Sequence, residues 1–145
     1  MKKYLAIDYG QKRTGIAASD AGGSMAFAQT TLDPAPPEAF WRKLLTVIAE
    51  ETPEGLVLGL PLNLAGEETE ASARVRGFAG QLRQHTALPI FLVNEALTSF
   101  AAEADLREAG LSRKKRAAVL DQQAAVHILQ TFLNTPTPKR KVYEP

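Results

Sequence analysis

Tyr4-Leu5-Ala6-Ile7-Asp8-Tyr9-Gly10, close to the start of the chain, is an apolar run of strand length with a carboxylate set inside it. A buried strand ordinarily excludes an acid, because an unpaired charge taken out of water costs several kcal/mol or takes up a proton. Asp8 therefore points to a metal, another cation or a proton to be moved. The same run decides the fold. A tight polar turn, Gly10 to Arg13, follows it, and Thr14-Gly15-Ile16-Ala17-Ala18-Ser19 reads as a hairpin partner paired back on the first strand. Met25 to Leu32, after the turn Asp20-Ala21-Gly22-Gly23, supplies a third strand.

Beyond Asp33-Pro34-Ala35-Pro36-Pro37 the pattern changes. A helix opens there with Trp41, Leu44, Leu45 and Ile48 at helical spacing. Leu56-Val57-Leu58 is a short all-apolar strand, Thr69 to Gln84 a helix with Val75, Phe78, Ala79 and Leu82 on one side, and Pro89 to Val93 another all-apolar strand. Helices follow at Ser99 to Ala109 and at about Leu120 to Leu133. The order β-β-β-α-β-α-β-α-α predicts an α/β fold with a mixed five-stranded sheet, its later strands parallel and covered by helices on both faces. Residues 1–134 form one domain, and residues 135–145 read as a flexible, basic, extended tail.

Composition bounds the chemistry. At 145 residues with 45% hydrophobic side chains, the chain is long enough for one real core. It contains no apolar run of about 18 residues and no signal-type start, which predicts a cytoplasmic protein without a membrane partner. With no cysteine, disulfides, thiolate zinc sites and thiol nucleophiles are excluded, and only two histidines, His85 and His127, leave little scope for imidazole chemistry. Oxygen ligands remain. A net charge of +1 means that attraction to nucleic acid must come from local clusters.

Three acids meet that description. Ligands gather outside the carboxyl ends of parallel strands, where Asp8 and Glu95, just past Ile90-Phe91-Leu92-Val93, both come up. Asp121 heads the stripe Ala124, Ala125, Ile128 and Phe132, the helix face expected to pack on the sheet, so its carboxylate leans toward the same rim. Each has a plainer explanation taken singly: Asp8 as a brace for the turn, Asp121 as a helix N-cap, Glu95 as a solvated loop acid. Together they suit Mg²⁺, which prefers carboxylates, waters and phosphate oxygens.

Asp8-Tyr9-Gly10-Gln11-Lys12-Arg13-Thr14-Gly15-Ile16-Ala17 with Ser19-Asp20, Gly59-Leu60-Pro61-Leu62-Asn63 with Gly66, Asn94-Glu95-Ala96-Leu97-Thr98-Ser99, and Arg113-Lys114-Lys115-Arg116 leading into Asp121-Gln122-Gln123-Ala124-Ala125 together resemble the bacterial YqgF/RuvX family. The resemblance runs in the family's order to about Leu133. It implies a ribonuclease H-like fold and a divalent-metal nuclease, described in the family both as a Holliday junction resolvase and as the nuclease that matures the 5′ end of pre-16S rRNA. Asp8, Glu95 and Asp121 fall on the family's acidic positions. Asn94 and Ala96 depart from a pattern with Asp before the Glu and Arg after it, which removes one outer acid and one phosphate contact. Gln122 stands where a small residue is common.

These readings predict phosphodiester hydrolysis assisted by two Mg²⁺ or Mn²⁺ ions, with Asp8 bridging them and Glu95 and Asp121 each completing one side. Lys12 and Arg13, in the turn after Asp8, and Arg113, Lys114, Lys115 and Arg116, before Asp121, are the candidate phosphate contacts. Solvated basic loops are the plainer alternative. The loop Gly59 to Gly66 offers backbone N–H groups to a phosphate. Arg74, Arg76 and Arg83 read as an exposed helix face, His85 and His127 as surface or packing residues, and Trp41 as core. The preferred substrate is pre-rRNA, in contact with ribosomal precursor particles, and branched DNA is the alternative. A resolvase should be a two-fold dimer, whereas an RNA-trimming enzyme works as a monomer, and the residues leave both open. A non-catalytic nucleic-acid-binding module is a further alternative, against which the retained acids argue. The Asp-x-Gly hairpin also resembles the phosphate loop of the actin and hexokinase group, which needs two such domains where this chain supplies one.

Overall fold

The computed structural model describes residues 2–95 and 113–145, with side chains from residue 122 onward in the second stretch. Six strands form one sheet: β1 (Tyr4–Tyr9), β2 (Thr14–Ser19), β3 (Ala26–Leu32), β4 (Gly55–Pro61), β5 (Ile90–Glu95) and β6 (Lys141–Val142). Their spatial order is β3-β2-β1-β4-β5-β6. The first three make the expected antiparallel meander, while β4 runs parallel to β1 and β5 parallel to β4. This places β1 near the middle of the sheet, with the carboxyl ends of β1, β4 and β5 at one rim.

Helices α1 (Pro37–Glu51) and α2 (Glu70–His85) cover one face, and α3 (Arg113–Asn134) covers the other. Strand alternation sorts the core between them. Leu5, Ile7, Ile16, Leu56, Leu58, Ile90 and Leu92 pack with Phe40, Leu44, Val75, Phe78 and Leu82. On the opposite face Tyr4, Ala6, Ala17 and Val57 meet Ala125, Ile128, Leu129 and Phe132 of α3. Trp41 stacks between Phe78 and His85, which accounts for a histidine without chemistry.

Two expectations are corrected. The last helix, Arg113–Asn134, takes in residues well before Leu120, so the basic cluster Arg113 to Arg116 is helical. The sheet has six strands, because β6, in the segment read as a flexible tail, pairs antiparallel with β5 through Lys141 with Leu92 and Val142 with Phe91. Tyr143 anchors that strand: its N–H donates to the Ile90 carbonyl at 2.7 Å, and its ring is 8% exposed. The helix expected at Ser99 to Ala109 lies outside the described residues.

Candidate active site

The face of the sheet beneath α3 carries the acids. On β1, alternation sends Leu5 and Ile7 to the α1/α2 side and Tyr4 and Ala6 to the α3 side, so Asp8 is next on the α3 side. On β5 the residues toward α3 are Phe91 and Val93, and Glu95 is next in turn. Between them runs β4, whose α3-facing positions are Val57 and then Gly59. Ile7 pairs with Leu58, and Gly59 pairs with Val93, so the two acids flank β4 where it has no side chain.

Gly59 is the spacer. A Cβ there would lie 2.7 Å from Glu95 Oε2 and 2.4 Å from Ile128 Cδ1, so only glycine leaves room for the Glu95 carboxylate to lie back over β4. The electrostatics agree. Burial, and after it the charge of Asp8, push the Glu95 carboxyl up to about 8. Crowding of two half-buried carboxylates is relieved by a proton on one of them or by a cation, so the pair is a candidate cation site.

Surrounding elements fix this rim. The Glu95 carbonyl accepts the Leu62 N–H at 3.0 Å, tying β5 to the loop after β4. Within that loop the Asn63 side-chain oxygen accepts the N–H groups of Ala65 and Glu67 at 3.0 and 2.9 Å. The fully buried Ser72 accepts the Thr69 N–H at 2.9 Å and donates to the Pro61 carbonyl, which locks the start of α2 to the end of β4. Gly10 turns the chain after Asp8, since a Cβ would meet the Arg13 carbonyl oxygen at 2.5 Å.

Asp121 lies within α3, eight positions past its first residue, so it is not the N-cap of this helix. It stands one turn before Ala124 and Ala125, both buried against the sheet; its side chain is outside the description, as are those of Arg113 to Arg116. Among the described residues no group of three or more acids or histidines stands ready for a metal, and the structure brings together two of the three predicted acids. Lys12 is exposed and Arg13 half-buried, both in the turn next to Asp8. Gln122 donates to the Thr31 hydroxyl at 3.0 Å, which gives it a docking role between α3 and β3. The feature missed in the sequence is Gly59 as a spacer, although a lone glycine in Leu56-Val57-Leu58-Gly59-Leu60 signals close approach.

A mixed sheet of this order, with paired acids at the rim, defines a ribonuclease H-like protein. The fold matches that of T. thermophilus RuvC in complex with Holliday junction substrate, with a TM-score of 0.61 across 99% of this chain and 100% of that one, at 14% identity. A second T. thermophilus RuvC structure gives 0.58. Residues 2–135 match the family model described as "RuvX: Holliday junction resolvase". A protein of Oleidesulfovibrio alaskensis named "Putative pre-16S rRNA nuclease" is 54% identical over 95% of this chain and 96% of its own length. One of the same name from Nitratidesulfovibrio vulgaris is 52% identical over 95% and 97%. The chain belongs to the RuvX family, and it is an enzyme of the nuclease class.

Proposed function

We propose that the chain hydrolyses phosphodiester bonds at the 5′ end of precursor 16S rRNA, acting in the cytoplasm on ribosomal precursor particles, with Asp8, Glu95 and Asp121 holding two divalent cations, Mg²⁺ or Mn²⁺. The observation that carries this is the Asp8–Glu95 pair over Gly59. A carboxyl raised by burial and by a neighbouring acid is a group whose proton a cation readily replaces, and the donor set is all oxygen, as a hard divalent ion requires. When bound, such ions supply an activated water and neutralise charge on the phosphate.

The chain's own groups do the rest. Gly59 leaves the space in which the two carboxylates meet. The Leu62 contact and the Ser72 lock hold that space open at fixed register. Lys12, Arg13 and the basic cluster of α3, Arg113 to Arg116, hold the strand's phosphates on either side.

The names of the relatives at 54% and 52% identity favour rRNA as substrate. The family description favours a second reading, resolution of branched DNA junctions by a two-fold dimer. One experiment separates them: purified protein with Mg²⁺ or Mn²⁺ is offered a precursor rRNA 5′ end and a four-way DNA junction, beside an Asp8→Asn control. Cuts at a defined place on the RNA, lost in the control, support the first reading. Symmetric cuts on the junction alone support the second, and cleavage undiminished in a folded Asp8→Asn protein removes the site assignment.

A further inference from the structure

Lys139, Arg140 and Lys141 are the strongly basic motif that the active site leaves unused. The chain leaves α3 through Thr135, turns in a 3-10 segment, Thr137–Lys139, and enters β6 beside β5. β6 pairs with Phe91 and Leu92, and among the described residues no strand continues along that edge of β5 from Val93 toward Glu95. A cavity of about 200 Å³ lies there, lined by Lys139, Arg140 and Lys141 and by the neutral polar groups Asn94, Thr131 and Thr135. Among the described residues no carboxylate lines it.

Arg140 is held in place before any ligand arrives. Its Nε–H donates to the Thr135 carbonyl at 3.0 Å, and its guanidinium carbon lies 4.2 Å from the Phe132 ring centroid. A fixed guanidinium with N–H groups to spare binds an oxyanion at low ordering cost. Lys139 and Lys141 are exposed, and among the described residues neither has an acidic partner. Three cations thus surround a cavity with no acid among its described lining residues, whose β5 wall at Val93 and Asn94 stands two and one residues short of Glu95.

We propose that this cavity binds a backbone phosphate of the substrate strand, which the C-terminal segment holds as it passes β5. This rests on the nuclease reading. The test is binding of a fluorescent single-stranded RNA to the full chain in EDTA, followed by anisotropy across a salt series. The Lys139→Gln/Lys141→Gln variant should bind roughly five- to tenfold more weakly, and its log–log salt slope should fall by about 0.7, the value for one lost single-strand phosphate contact. Lys139→Arg/Lys141→Arg should keep both. Arg74→Gln/Arg83→Gln, on the far helix face, should leave both unchanged.

Unchanged affinity and slope in the Gln pair, or an equal loss in the Arg74/Arg83 pair, would overturn the site while leaving the nuclease assignment standing. Absence of RNA and DNA binding by the unsubstituted chain would instead remove the assignment beneath it. Inorganic phosphate that binds at micromolar concentration and is not displaced by the RNA would mark a site for free phosphate and overturn the strand contact.

Discussion

Asp8 and Glu95 are separated by most of the chain and joined by the absence of a side chain at Gly59. Replacing Asp8 with Asn, or Glu95 with Gln, is expected to lower cleavage by more than about 100-fold, beyond the 10- to 100-fold typical of outer-shell partners, with the fold intact by circular dichroism. Gly59→Ala pushes a methyl into Glu95 and Ile128, so it should cost about 1–3 kcal/mol in urea unfolding and lose cleavage as well. Glu95 also sets a pH dependence. Its carboxyl titrates at about 8 in the folded protein, against an ordinary 4.5, so between those values the folded state binds more protons than the unfolded one. This group's contribution to metal-free stability is therefore complete below about 4.5 and is lost as pH rises through about 8. Urea titrations in EDTA at pH 5 and pH 8.5 should show the fall, Glu95→Gln should flatten it, and added Mn²⁺ should narrow it. Asp8 was legible in the sequence because a carboxylate in an apolar strand contradicts its surroundings. Glu95 was legible as its neighbour because both acids end parallel strands at one rim, but the glycine that makes room for the pair was not.

At the level of elements, α3 and β6 seal one side of the sheet. Phe132 is 1% exposed, sits 4.9 Å from both the Tyr4 and Phe91 rings, and carries Arg140 on its remaining side. Phe132→Ala should cost about 3–5 kcal/mol by denaturant unfolding, and Tyr143→Ala about 2–4, because its strand has only two ladder residues to hold it otherwise. The stripe Ala124, Ala125, Ile128 and Phe132 was readable from helical spacing, and all four are buried. The run Arg113-Lys114-Lys115-Arg116 was not readable as helix, because it carries no apolar period. The last strand was hidden for a related reason. Two residues of ladder carry no alternation, and only the pair Val142-Tyr143 after a charged run hints that the chain returns to the sheet.

For the whole molecule, the order of elements was legible because hairpin turns and βαβ crossovers leave different marks, alternation in the first and apolar runs in the second. The convergence of segments at one rim follows from that topology. With a net charge of +1 the molecule has no strong overall field, so affinity for nucleic acid should fall with salt in proportion to the local phosphate contacts made. The parallel pairing of β1 with β4 and of β4 with β5 can form only between distant parts of the chain. A fragment ending before β5, mixed with Mn²⁺ and RNA, should therefore leave the RNA whole. During translation Asp8 leaves the ribosome early and Glu95 well after it, so a copy that stops before β5 lacks one half of the pair. A product released before that point is therefore without the carboxylate pair on which the proposed cleavage depends.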